Sequence, residues 1–171
     1  MQSLRQNLRT SLRSSCSGFR KLAVLGIGSE LRGDDGAGVL AAETIQKSLA
    51  KSKKRLPVKI FHGGTAPENL TGEIKRYKPS HIIIIDTADF KEKPGTVVVL
   101  DPRDIGGGVS FSTHKMPAKI LVDYLQSSLA CEVTIIGIQP KNIDFGKPIT
   151  KMVAGSVKEV AGAVADVARK R

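Results

Sequence analysis

Short apolar runs alternate with longer segments of helical periodicity along most of the chain. The runs are rich in strand-forming residues and are too short for helices, so we predict that they are buried strands. They comprise residues 22–27, 58–62, 81–85, 95–100 and 133–138.

The longer segments carry apolar residues three or four positions apart, which is typical of helices that bury one face against a sheet. The second of these helices is expected to begin with a capping box, because Thr65 and Glu68 have the required spacing and Pro67 occupies the first turn. The third is expected to follow Pro117. The apolar positions are Val39 to Leu49 in the first helix, Leu70, Ile74 and Tyr77 in the second, Ile120, Val122 and Leu125 in the third, and Val153, Val157, Val160, Val164 and Val167 in the fourth.

This alternation predicts an α/β fold, a three-layer sandwich with helices on both faces of a sheet. The sheet is expected to be mostly parallel and twisted, with about five strands, one of them antiparallel. Too few residues separate Asp86 from the run at 95–100 for a helical crossover, so this strand is expected to pair antiparallel to its predecessor at 81–85. The chain of 171 residues suits a single domain, which we place at 21–171, after a basic arm at 1–20.

The arm has the pattern of a basic amphipathic helix. It contains no acidic residue, and leucine and arginine each recur every four positions, at Leu4, Leu8 and Leu12 and at Arg5, Arg9 and Arg13. Such a segment suits a transit peptide, a helix on a membrane surface, or an arm that docks on the protein body or on a partner. We favour the docked arm.

Composition excludes several classes of function. The net charge of +11 would suit an acidic partner or nucleic acid, but aromatic residues make up 4% of the chain and Trp is absent. Few platforms for stacking bases are therefore available, and we favour a solvated basic surface with no nucleic-acid partner. No apolar run reaches transmembrane length. Two cysteines form neither a disulfide framework nor a zinc cluster, so a cytoplasmic location is expected.

The strongest candidate chemistry follows the first strand. Gly26 and Gly28 allow a tight turn, and two adjacent carboxylates, Asp34 and Asp35, come just before the first helix. The glycine spacing is similar to that of a dinucleotide-binding loop, but Leu31 stands at the third glycine position and no acidic residue ends the second strand. Carboxylates in such a loop favour a cation instead. The alternative is that one of the two carboxylates only caps the helix.

Two further groups are predicted to reach the same edge of the sheet. Asp86 ends the third strand, and His114 belongs to the long loop that returns from the antiparallel strand. Because the carboxyl ends of parallel strands share one edge, Asp35, Asp86 and His114 can converge there. Imidazole with two carboxylates favours nickel, zinc or copper over magnesium. Taken singly, Asp86 is equally well explained as a strand-end cap and His114 as a polar loop residue.

These motifs resemble those of the hydrogenase maturation endopeptidases, and the similarity is greatest to the branch that serves hydrogenase 3-type enzymes. Ser29 departs from the pattern, because the family usually has Asn there. The resemblance extends over nearly all of the chain after Lys21. It rests on Gly26-Ile27-Gly28 with Asp34-Asp35-Gly36, Gly63-Gly64-Thr65-Ala66, Ile85-Asp86-Thr87-Ala88, His114 and Gly137-Ile138-Gln139-Pro140.

The resemblance implies an endopeptidase that removes the C-terminal extension of a [NiFe]-hydrogenase large-subunit precursor after nickel insertion. It implies that the nickel belongs to the substrate, so that no tightly bound cofactor is expected, and that Asp35, Asp86 and His114 contact it. The expected catalytic residues are Asp35 and Asp86. Residues expected to bind substrate or support the loops are Asp34, Gly63, Gly64, Thr65 and Gln139.

The sequence lacks the signatures of other peptidase classes, namely HExxH, GxSxG and a Cys/His pair. An aspartic-type or metal-dependent mechanism is therefore expected, with either Asp35 or Asp86 activating water. Two alternatives are a non-catalytic module that binds a metal centre and a flavodoxin-like domain that binds a small ligand. The acidic loop disfavours the second. The free protein is expected to be a monomer.

Overall fold

The computed structural model describes residues 4–52, 56–105, 110–111 and 118–169. Within these ranges the chain forms six strands and five α-helices. The strands are β1 (Leu22–Ile27), β2 (Val58–Gly64), β3 (His81–Asp89), β4 (Val97–Leu100), β5 (Ser110–Phe111) and β6 (Glu132–Ile138). The helices are α1 (Leu4–Ser15), α2 (Ala37–Ala50), α3 (Thr71–Tyr77), α4 (Ala118–Ser128) and α5 (Lys151–Ala168).

The strands form one mixed sheet in the order β2-β1-β3-β6-β4, and β5 pairs with the end of β3. The strands β2, β1, β3 and β6 are parallel, and β4 lies antiparallel to β6 at the edge. The predicted α/β class, with a mostly parallel sheet and one antiparallel strand in its main five-strand path, is confirmed.

Helices cover both faces of the sheet, and β3 has apolar side chains that pack against the helices on each face. Ile83 and Ile85 pack in the core under α1, α2 and α5. Ile82 and Ile84 pack in the core under α3 and α4. All four side chains are at most 2% exposed. A strand that is buried on both faces needs an unbroken apolar run, and this explains the sequence of four isoleucines.

The first and last helices pack against each other on one face of the sheet. The five valines predicted to line α5 are all buried, and Leu8 and Leu12 of α1 join the same core. At the edge of this contact the Arg5 guanidinium lies 2.7 Å from the Asp166 carboxylate. Two of the three leucines of the α1 repeat, Leu8 and Leu12, therefore pack on the protein body, whereas Leu4 is exposed. None of the helices in the described ranges combines the length and apolar character needed to cross a membrane.

Two predictions about the strands were wrong. The antiparallel strand pairs with β6 rather than with its predecessor β3, because β1 and β6 already occupy the two sides of β3. In addition, β3 does not end at Asp86 but continues to Asp89. The extra residues remain in the sheet because Thr87 pairs with Ile138 of β6 and Ala88 pairs with Phe111 of β5.

Two predictions about the helices were also wrong. The capping box at Thr65 and Glu68 does not form, because a 3-10 turn at Pro67–Leu70 precedes α3 and its N-cap residue, Ala66, has no capping side chain. Ile120 lies on the outer side of α4 and is 53% exposed. The buried face of α4 instead contains Leu121, Val122 and Leu125.

Candidate functional site

β1 and β3 are parallel neighbours, so both end at the carboxyl edge of the sheet. The chain leaves β1 toward β2 on one side, whereas β3 lies on the other side, so the direction of winding reverses between β1 and β3. Ligands of open α/β sheets bind at such reversal points. The pairing of β1 with β3 ends at Gly26 and Ile85, so Asp86 and Thr87 lie just beyond it.

The start of α2 packs tightly against the ends of β1 and β3. A Cβ atom at Gly38 would overlap the carbonyl oxygens of both Ile27 and Ile85. Gly28 adopts a φ of +138°, and a Cβ there would overlap the carbonyl oxygen of Asp35. Both glycines are therefore needed for the loop after β1 to fold back tightly over the strand ends.

Asp35 lies in a 3-10 turn at Gly33–Gly36 and is 1% exposed. The Ser29 amide donates a hydrogen bond to its Oδ2 at 3.0 Å, and the Thr87 hydroxyl donates one to its Oδ1 at 3.1 Å. The first of these bonds comes from the backbone of residue 29. It is therefore available whether that residue is Ser or the Asn that is usual in the family.

Asp86 is 2% exposed and lies in β3. Its Oδ1 accepts a hydrogen bond from the Thr87 amide at 2.8 Å. Thr87 therefore connects the two carboxylates. Its hydroxyl donates to Asp35, and its backbone amide donates to Asp86. The sequence analysis missed this role of Thr87. Strand alternation was the available signal, because it places residue 87 on the same face as Ile83 and Ile85, where the loop of Asp35 lies.

Asp34 holds two loops together. It is fully buried, and neither the 3-10 turn nor α2 has a side-chain cap. Its carboxylate instead accepts hydrogen bonds from the amides of Lys141, Asn142 and Thr150 at 2.7–3.0 Å, and from the Thr150 hydroxyl at 3.1 Å. Thr150 is the N-cap residue of α5. Asp34 therefore fixes the segment between β6 and α5 against the loop of Asp35.

The Gln139 side chain holds the segment that follows β3. Its Oε1 accepts a hydrogen bond from the Phe90 amide at 2.7 Å, and its Nε2 donates one to Asp89 at 3.2 Å. The pKa of Asp89 falls to about 2, mainly because it accepts hydrogen bonds from the side chain and amide of Lys91.

The glycines at the end of β2 border the loop of Asp35. The Gly28 amide donates to the Gly64 carbonyl oxygen at 2.9 Å. A Cβ atom at Gly63 would lie about 3.0 Å from the Gly26 carbonyl oxygen, so the two backbones are closely packed. Thr65, which follows Gly64, is exposed.

His114 lies outside the described residues, so the predicted convergence of its imidazole with Asp35 and Asp86 stays a prediction. Among the residues that the structure does describe, no three His, Cys, Asp or Glu side chains are grouped closely enough to hold a metal ion. The described part of the site is therefore a pair of buried carboxylates, Asp35 and Asp86, on a framework held by Asp34 and Gln139.

Comparison with known proteins identifies the family. The family model described as HycI, hydrogenase maturation protease, matches residues 39–167. The hydrogenase 3 maturation protease of Escherichia coli K12 is 36% identical over 137 residues, which cover 80% of this chain and 84% of that protein.

Solved structures give the same result. The crystal structure of the [NiFe] hydrogenase maturation protease HycI from Thermococcus kodakarensis superposes with a TM-score of 0.81 at 28% identity, covering 92% of this chain and 97% of that one. The solution structure of the E. coli endopeptidase HycI gives a TM-score of 0.69 at 35% identity, with coverage of 82% and 86%. The resemblance noted in the sequence is confirmed, and the chain belongs to the hydrogenase maturation protease family.

Proposed function

We propose that this chain removes the C-terminal extension of a [NiFe]-hydrogenase large-subunit precursor after nickel has been inserted, and that it recognises the nickel carried by that precursor. The observation that carries the proposal is the pair of buried carboxylates, Asp35 and Asp86, joined by Thr87 at the reversal point of the sheet. Family membership supports the peptidase activity.

The carboxylate pair suits a cation brought by the substrate. Asp35 and Asp86 together hold up to two negative charges, and both side chains are almost completely buried, at 1% and 2% exposed. Burial of charge is costly unless a counter-charge is supplied, and a divalent ion supplies it. The rigid loops around the pair, held by Asp34, leave the carboxylates in place before the substrate arrives.

His114 is the proposed third contact with the nickel. Phe111, three residues earlier in the sequence, pairs with Ala88, which lies two residues beyond Asp86. Three residues of chain span at most about 11 Å. An imidazole with two carboxylates forms a donor set suited to nickel. The substrate's own ligands would complete the coordination, so the enzyme needs no resident metal.

The same carboxylates are the proposed catalytic groups. Hydrolysis of a peptide bond requires that water lose a proton as it attacks the carbonyl carbon and that the leaving amine gain one. A buried carboxylate next to the scissile bond can accept the first proton and return it to the amine. A metal ion close to the carbonyl also polarises it. The proposed mechanism is therefore both aspartic-type, because carboxylates transfer the proton, and metal-dependent, because the substrate's ion polarises the carbonyl.

We also propose that the enzyme is cytoplasmic and that it is monomeric when free. Cys16 and Cys131 are both free thiols. Free cysteines without a disulfide suit a reducing compartment.

Incubation of the protein with a purified, nickel-loaded precursor tests the proposal. Mass spectrometry should show the precursor losing the mass of its C-terminal extension, with the extension released as one peptide. A double variant with Asp35→Asn and Asp86→Asn is the control and should leave the precursor intact. A stable complex of wild-type protein with an uncleaved precursor would contradict the proposal and would indicate a binding module instead.

A further inference from the structure

The loop between β1 and the candidate site contains an arginine with no assigned role. Arg32 is two residues before Asp34 and occupies the N-cap position of the 3-10 turn at Gly33–Gly36. Its amide donates to the Ser29 carbonyl oxygen at 3.1 Å, and its own carbonyl oxygen accepts from the Asp35 amide at 3.0 Å. The backbone of Arg32 is thus fixed relative to Asp35.

The side chain of Arg32, by contrast, has no partner in the described ranges. Its Nε has less than 1 Å² of exposed surface, and it is the only such buried side-chain nitrogen or oxygen there without a hydrogen bond. Asp34 and Asp35 are used by other groups, because Asp34 accepts from Lys141, Asn142 and Thr150, and Asp35 accepts from Ser29 and Thr87. Arg32 Nε has no bond to Glu30 either, the acidic residue two positions before it. A buried donor left unpaired is costly and is rare in native proteins without a functional reason.

Two exposed apolar residues flank this arginine. Leu31 is 65% exposed, and Phe145, in the segment held by Asp34, is 72% exposed. The Gly146 amide donates to the Leu31 carbonyl oxygen at 2.8 Å, so the two loops present these residues next to each other. Aromatic, aliphatic and arginine side chains together are typical of the buried centre of a protein interface.

We propose that Arg32 is a substrate-binding residue that donates hydrogen bonds to an oxygen of the precursor polypeptide lying across this loop. This inference rests on the function proposed above. The acceptor is a backbone carbonyl oxygen. An extended polypeptide presents such an oxygen at every residue, so this acceptor needs no particular side chain in the precursor. Leu31 and Phe145 supply the apolar contact on either side.

The test compares steady-state cleavage of the nickel-loaded precursor by wild-type protein and by the variants Arg32→Ala, Arg32→Gln and Arg32→Lys. We expect Arg32→Ala to raise KM roughly 30-fold with little change in kcat, which is the signature of a lost substrate hydrogen bond. Arg32→Gln keeps a neutral donor and should raise KM only about 5-fold. The matched control is Arg76→Gln on α3, an exposed arginine at the opposite edge of the sheet, which should leave KM unchanged.

Thermal unfolding of the same variants separates substrate binding from a structural role. Because the guanidinium makes no described hydrogen bond, Arg32→Gln should keep or slightly raise the melting temperature. A lower melting temperature with wild-type kinetics would overturn the inference, as would an unchanged KM in Arg32→Ala. Better retention of KM by Lys than by Gln, lost at high salt, would overturn the carbonyl assignment in favour of a carboxylate. Failure of the wild-type protein to cleave would overturn the proposed function itself.

Discussion

Strand β3 has a buried polar group near each of its ends, and the two ends differ in chemistry. At the amino end, the His81 ring nitrogen Nε2 lies 3.3 Å from the Cys16 thiol and 2.8 Å from the Thr134 hydroxyl. Burial raises the pKa of Cys16 to about 11 and lowers the pKa of His81. These groups are thus all neutral near pH 7. At the carboxyl end, Asp86 and Asp35 are both buried, and Thr87 donates a hydrogen bond to each of them.

The partners of each group explain the difference. At the amino edge the polar side chains satisfy one another and join the end of α1 to the sheet, so they have a structural role. At the carboxyl edge the described donors are the Ser29 amide in the loop after β1 and the amide and hydroxyl of Thr87 in β3. Such donors position a carboxylate but supply no full positive charge. The proposed contact with the substrate's nickel lies at this edge, and the four predictions below address the contrast between the two edges.

The largest expected effect is on activity at the carboxyl edge. Asp35→Asn or Asp86→Asn should lower the cleavage rate by about 1000-fold or more, because each removes a charge that is proposed to contact the metal or activate water. Asparagine is nearly isosteric with aspartate, and Asp35 accepts only two described hydrogen bonds. Cleavage assays with circular dichroism should therefore show inactive but folded proteins. Unfolding at room temperature would instead assign these carboxylates a structural role.

The next largest effect is on stability. Asp34→Asn should lower the free energy of unfolding by about 2–4 kcal/mol, because one amide oxygen cannot accept all the bonds that the carboxylate accepts. Denaturant unfolding measures this value. The control is Asp144→Asn, at an exposed residue of the same segment, which should change stability by less than about 0.5 kcal/mol. Equal stability of the two variants would show that Asp34 does not hold the loops.

The amino edge should affect only the pH dependence of stability. The folded pKa of His81 lies below its unfolded value of 6.5, so the unfolded chain binds the extra proton. Its contribution to stability should be complete above pH 6.5 and should fall as pH decreases through that value. Glu132 opposes this shift but does not reverse it.

Unfolding titrations at pH 5 to 7 check this prediction. His81→Gln should flatten the pH dependence, whereas His62→Gln, at an exposed histidine bonded to Gln46, should leave it intact. Cys16 should have the opposite effect at alkaline pH, where stability decreases as pH rises, because its raised pKa keeps the folded thiol protonated. Stability should fall between about pH 9 and 11, and Cys16→Ala should remove part of that fall, because burial also raises the pKa of Cys131. Equal profiles for the two histidine variants would contradict the account of the amino edge.

The sequence predicted the fold class because its apolar runs and helical stripes are nearly uninterrupted. The position of β4 could not be predicted, because a short loop indicates an antiparallel direction but does not say which neighbouring strand is free. The length of β3 depended on the same tertiary information. Thr65 and Glu68 had the spacing of a capping box, but Pro67 begins a 3-10 turn that leaves Ala66 as the N-cap.

The site was partly predictable for a related reason. Residues that follow parallel strands share one edge of the sheet, and this rule predicts from the sequence that Asp35 and Asp86 lie at the same edge. The joining role of Thr87 and the loop-holding bonds of Asp34 depend on contacts more than 50 residues apart, and local patterns do not contain that information. The placement of His114 and the catalytic roles of the two carboxylates stay predictions.

The most direct test of the central claim compares cleavage of nickel-loaded and nickel-free precursor under identical conditions, together with equilibrium dialysis of nickel against the enzyme alone. The account predicts that only the loaded precursor loses its extension, because the ion that positions the cleavage site arrives with the substrate. It also predicts weak nickel binding by the free enzyme, since Asp35, Asp86 and His114 leave several coordination positions open. Equal cleavage of both precursors, or tight stoichiometric nickel in the free enzyme, would contradict the claim.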